Sequence, residues 1–149
     1  MIDDAITNAR RYFANNSNCA QSVMKAILVE KNMDFDQVIP LAAGLGGGVA
    51  HEGSVCGAVT GAIAALGVLN SRHYTDLVKH KESTYEDSEE FIRRFKEIHG
   101  SPLCNVLTGI EMKDTDARSR AMDSGLFAQR CPKYVENAVR IALEISEHR

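Results

Sequence analysis

Ile2, Ala5, Ile6, Ala9, Tyr12 and Phe13 recur every three or four positions. That is the period of one helix face, and it predicts an amphipathic helix ending near Asn15 and Asn16. A polar break follows, and Ser17 is the expected N-cap of a second helix with Ala20, Val23, Met24, Ile27 and Leu28 inward. Cys19 then falls in its first turn. A short third helix is expected over residues 38–45, with Pro40 tolerated in its first turn and Gly44, Gly46, Gly47 and Gly48 stopping it. The fourth runs from about Ser54 to about Leu69. It carries Val55, Val59, Ala62, Ile63, Leu66 and Leu69 inward and a strip of small residues, Gly57, Gly61 and Ala65, against which another backbone of the same chain is expected to pack closely.

From residue 70 to 83 the chain is polar, with Arg72, His73, Lys79, His80 and Lys81, and a solvated connector is expected. Ser83 and Glu86 form a capping box for a fifth helix that buries Phe91, Ile92, Phe95 and Ile98 and ends at Gly100. Ser101 and Pro102 restart a short helix carrying Leu103, Cys104, Val106 and Leu107 before Gly109. Residues 113–129 are weakly periodic and predict another short helix. Pro132 is expected to open a terminal helix with Val135, Ala138, Val139, Ala142 and Leu143 on one face, which places Cys131 at its N-cap. Nothing alternates with period two, and no hairpin dipeptide joins β-branched runs. The expectation is an all-α, single-domain bundle over residues 1–149, with about six to eight helices and a glycine-rich loop.

Composition narrows the function classes. A chain of 149 residues can bury a core without covalent staples, so its four cysteines are not needed for stability. A net charge of -3 supplies no basic surface for nucleic acid or anionic lipid. The longest apolar stretch, residues 55–69, falls short of the roughly 20 residues a bilayer span needs, so no transmembrane segment is expected. The opening MIDDAITNAR has two acids and no apolar core, which predicts no secretory signal and a cytoplasmic location. In a reducing compartment, four cysteines point to metal or redox chemistry more than to a disulfide framework.

On this map Cys19, Cys56, Cys104 and Cys131 each fall at a helix N-cap or in a first turn. There the free N–H groups and the positive helix end favour a thiolate, the form a nucleophile or metal ligand needs. The bland alternative is four buried cysteines acting as small hydrophobes. No Cys-x-x-Cys is present, which excludes zinc-ribbon, ferredoxin and thioredoxin-type motifs. Four ligands from separate helices remain open, as do two disulfides in any of three connectivities. Cys56 is the expected nucleophile, because Gly53 and Gly57 clear space around it. His51 is a candidate base or metal ligand, against the alternative of a solvated loop histidine. The glycine run has no following Lys-Ser or Lys-Thr, and Val49 stands where a dinucleotide fingerprint needs glycine or alanine. Gly46, Gly47, Gly48 and Gly57 are instead expected to turn backbone N–H groups toward a thiolate or an anionic cluster.

The order Cys19, Gly44 to Gly48, Cys56-Gly57-Ala58-Val59-Thr60-Gly61, Cys104 and Cys131 resembles the C_GCAxxG_C_C family over nearly the whole chain. Here the central motif has its glycine after the cysteine. The resemblance implies a small protein defined by all four cysteines, for which redox activity is proposed. The leading expectation is a thiol–disulfide redox protein in which Cys56 attacks and another of the four resolves, with no cofactor beyond disulfides. The alternative is zinc or an iron–sulfur cluster on Cys19, Cys56, Cys104 and Cys131, with His51 as a further ligand. A plain helical interaction module is a third. The redox partner is unnamed and the oligomeric state is left open.

Overall fold

Eight helices form in the computed structural model, which describes residues 1–149. They are α1 (Ile2–Ala14), α2 (Cys19–Glu30), α3 (Val38–Ala42), α4 (Gly57–Asn70), α5 (Leu77–His99), α6 (Cys104–Thr108), α7 (Thr115–Asp123) and α8 (Leu126–Ser146), with a single 3-10 turn at Ala43–Leu45. No strand is present, and the only β-type pairing is an isolated antiparallel bridge between Val55 and Leu103. The architecture is all-α. No helix is long and apolar enough to cross a membrane.

A cluster of 30 buried residues forms the core, to which α2, α4 and α8 contribute most and α1 and α5 add one face each. The small-residue strip of α4 decides how α2 packs. A Cβ on Gly61 would lie 2.6 Å from the carbonyl oxygen of Ala20, so the two backbones touch and only glycine fits. The strip serves packing within the chain.

Asn18, not Ser17, caps α2. Its Oδ1 accepts from the Gln21 amide while the Gln21 side chain accepts from the Asn18 amide, both at 2.9 Å, a capping box that fixes Cys19 as the first helical residue. The expected polar connector is shorter than the pattern suggests. Asp76 caps α5 by accepting from the Lys79 amide, so Ser83 lies buried within the helix rather than at its start. Asn70, at the start of the expected connector, is held from outside it: its Nδ2 donates to buried Asp87 at 3.0 Å, and Arg149 donates to the same carboxylate at 2.8 Å. A polar residue with such a partner has no need to lie in a loop.

Two further departures bear on the site. Helix α8 starts at Leu126 behind Gly125, which sits at φ +78°, so Pro132 lies inside the helix and Cys131 lies in its second turn rather than at an N-cap. Pro132 lacks the N–H that would bond the Ala128 carbonyl. The glycine-rich loop, in turn, is a left-handed turn. Gly47, Gly48, Val49, Ala50 and His51 all have positive φ, between +49° and +69°. For non-glycine residues this costs roughly 1–2 kcal/mol each. The loop is held by Ala50 N–H to Gly44 O at 2.9 Å, Gly53 N–H to Gly47 O at 3.0 Å and Ser54 N–H to Gly48 O at 3.0 Å.

Candidate four-thiol site

The bridge at Val55 and Leu103 assembles half of the site. The Cys56 amide donates to the Pro102 carbonyl at 2.8 Å, and the Cys104 amide donates to the Ser54 carbonyl at 2.7 Å. Side chains alternate in extended backbone, so Cys56 and Cys104, each one step from the bridged pair, share the face opposite Val55 and Leu103. They are also the N-cap of α4 and the first residue of α6. Gly57 brings in a third thiol: its Cβ would lie 3.2 Å from the Cys19 Cβ and 3.0 Å from the Ala20 amide, so the start of α4 abuts the start of α2.

The fourth thiol, Cys131, comes from α8, whose flanking side chains grip α6. The Arg130 guanidinium donates to the Thr108 carbonyl at 2.6 Å, and the Tyr134 hydroxyl donates to the Leu107 carbonyl at 2.8 Å. These close two of the carbonyls left unpaired at the end of α6. His99 packs edge-on against the Tyr134 ring at 4.8 Å and accepts from Asn137 at 3.1 Å. Burial and the charge of Lys133 hold His99 below its ordinary value.

All four cysteines are free thiols, and the contacts above place the elements that carry them side by side. Cys56, Cys104 and Cys131 are buried, while Cys19 is half-buried as a residue with its thiol turned inward. The charges of the other three all act on Cys19. Their electrostatics depart from what helix starts alone suggest. Burial pushes Cys56 up to about 12, against the opposing pull of the Ala58 and Val59 amides. Burial and the charge of Cys131 push Cys104 up to about 11. Cys19 is raised by the neighbouring Cys131 thiol, with burial adding to the effect. Cys131 alone is lowered, by the neighbouring Cys19 thiol and by the Arg130 charge, which together outweigh its burial.

The expected helix-start activation of Cys56 is therefore outweighed by desolvation, and the thiol favoured as thiolate is the one away from a helix start. His51 stands exposed in the left-handed turn. The groups that act on the thiols are the other thiols, the first amides of α4 and Arg130. Glu52 next to His51 pairs with Lys113 at 2.9 Å. The glycines expected to face a cofactor serve close packing: a Cβ on Gly46 would meet the Asn18 side chain, one on Gly48 would lie 2.8 Å from the Cys104 Cβ, and one on Gly47 would strike His51. As the side chains stand, no group of three or more His, Cys, Asp or Glu is arranged to hold a metal ion.

Arg130 and Tyr134 are not marked by the hydrophobic pattern, because a helix opening at Pro132 leaves Arg130 outside it. A start at Gly125 puts Arg130, Cys131 and Tyr134 on consecutive turns, and the Arg-Cys dipeptide is then the signal that points to them.

A family model described as "Putative redox-active protein (C_GCAxxG_C_C)" matches residues 17–145. The chain is also 27% identical over 134 residues to an uncharacterized protein of Archaeoglobus fulgidus, covering 85% of this chain and 82% of that one. No solved structure matches.

Proposed function

We propose that this chain, which belongs to the C_GCAxxG_C_C family, is a thiol–disulfide redox protein whose working pair is Cys131 and Cys19. The observation that carries this reading is the opposed pull on the two thiols, Cys19 raised by its neighbour Cys131 and Cys131 lowered by Cys19 and by the Arg130 charge. The Cys131 thiolate attacks one sulfur of a partner disulfide, forming a mixed disulfide and releasing the partner's other sulfur as a thiolate that takes up a proton. Cys19 then gives up its proton and attacks the Cys131 sulfur. The Cys19–Cys131 bond forms and the partner's second thiol leaves. The partner gains two electrons and the chain loses two.

This moves the role of nucleophile from Cys56 to Cys131. Cys56 is held protonated by burial, whereas attack needs a thiolate. The chemistry suits a reducing cytoplasm and a single domain over residues 1–149, for which the one shared core is the support. The convergence of four thiols also favours a second reading, a zinc or iron–sulfur site, which would require the thiols to turn toward a common centre.

The test is to treat freshly reduced protein with one equivalent of diamide and map disulfides by mass spectrometry, with elemental analysis of the same sample. A linked peptide pair joining Cys19 to Cys131 is expected. Failure to find that link overturns the redox pair, and zinc or iron at one or more per chain supports the second reading.

A further inference from the structure

We propose that Cys104 is a third exchange thiol, able to displace Cys19 from the sulfur of Cys131; this rests on the Cys19–Cys131 pair proposed above. Leu107 follows Cys104 by three residues on α6, and Tyr134 follows Cys131 by three on α8, so in each helix the two residues share a face. All four are buried. The hydrogen bond from Tyr134 to the Leu107 carbonyl, at 2.8 Å, locks those two faces in register. Arg130, on the other side of Cys131, fixes the Thr108 carbonyl at 2.6 Å.

Helix α6 has only five residues, so pinning its last two carbonyls to the neighbours of Cys131 also sets where its first residue lies. At that first residue the Cys104 amide is tied to Ser54 at 2.7 Å, while the Thr108 hydroxyl returns to the Cys104 carbonyl at 2.8 Å. Helix α6 is thus held at both ends, its first residue by Ser54 and its last two carbonyls by the neighbours of Cys131 on α8. Beyond Cys104 lies Gly48, where a side chain would collide with the Cys104 Cβ. The charge of Cys131 acting on Cys104 is consistent with this proximity.

The exchange step balances without an outside oxidant. With the Cys19–Cys131 disulfide formed, Cys104 loses its proton and its thiolate attacks the Cys131 sulfur. The Cys104–Cys131 bond forms and the Cys19–Cys131 bond breaks. Cys19 leaves with the electron pair and takes up the proton that Cys104 gave up. The step is reversible, so the oxidised chain holds both links, and wherever the Cys104–Cys131 bond has formed the half-buried Cys19 is a free thiol again.

The test uses the full chain with Cys19→Ser, its helicity checked by circular dichroism, and glutathione disulfide as oxidant. Cys131 first displaces one glutathione and becomes glutathionylated; Cys104 then displaces the other. The expected product is a Cys104–Cys131 linked peptide with no retained glutathione, and Cys19→Ala is expected to give the same link. Cys131 that stays glutathionylated beside an alkylatable Cys104, or a link to Cys56 in its place, overturns the proposal. Failure of the underlying pair looks different: in the unsubstituted chain Cys131 would remain unmodified and no Cys19–Cys131 link would form.

Discussion

Arg130 donates a 2.6 Å hydrogen bond to the carbonyl of Thr108 while its charge acts on the thiol of its neighbour in sequence, Cys131. A single guanidinium thus serves both the end of α6 and the one thiol whose thiolate form is favoured. Replacing it with methionine keeps much of the stem's packing and removes the charge. Arg130→Met is expected to slow iodoacetamide labelling of Cys131 at pH 7.5 by roughly threefold to tenfold, since one unit of pKa is a tenfold change in thiolate. Arg130→Lys should recover part of that rate. Unchanged labelling in the methionine variant would remove Arg130 from the account.

The contact of α2 with α4 makes two glycines of one helix behave in opposite ways. Gly61→Ala forces its Cβ to within 2.6 Å of the Ala20 carbonyl, an overpacking expected to cost about 1–3 kcal/mol, or roughly 3–10 °C in Tm. At Gly67 the nearest atom to an added Cβ is the Thr84 Cγ2 at 3.7 Å, ordinary contact distance. Gly67→Ala is therefore expected to gain about 0.5–1 kcal/mol from helix propensity. Thermal unfolding of both variants checks the contrast, and equal effects would contradict the close approach.

The buried thiols predict a loss of stability in alkali. Cys56 and Cys104 are raised from about 9 to about 12 and about 11 in the folded chain. Between the unfolded and folded values the native state holds more protons than the unfolded state. The stabilising contribution is therefore fully present below pH 9 and is lost as pH rises through 11 to 12. Across pH 8 to 10.5, Cys56→Ala should show a shallower fall in Tm than the unsubstituted chain, whatever its absolute stability. Parallel slopes would show that Cys56 does not titrate with folding.

Much of the fold was legible in the pattern, because long amphipathic helices advertise themselves. The apolar faces of α1, α2, α4 and the second half of α8 all fall where their spacing puts them. What escaped is polar structure satisfied at a distance. Asn70 reads as part of a solvated connector until its hydrogen bond to Asp87, which Arg149 also binds, is seen. Pro132 reads as a helix start, although the helix is already under way from Leu126. The four cysteines were visible as a set, and Gly57 and Gly61 as a close-packing strip. Which thiol is favoured as thiolate was not visible, since that depends on desolvation at Cys56 and on the neighbouring Cys19 thiol and Arg130 charge at Cys131. None of these follows from position at a helix start.

The most direct measurement is differential alkylation of the four thiols in the reduced native chain from pH 6 to 10, each quantified by peptide mass spectrometry. The account predicts that Cys131 is labelled first, with an apparent pKa below 9, while Cys56 and Cys104 remain slow across the range. A profile in which Cys56 is labelled first, with Cys131 protonated throughout, would contradict it.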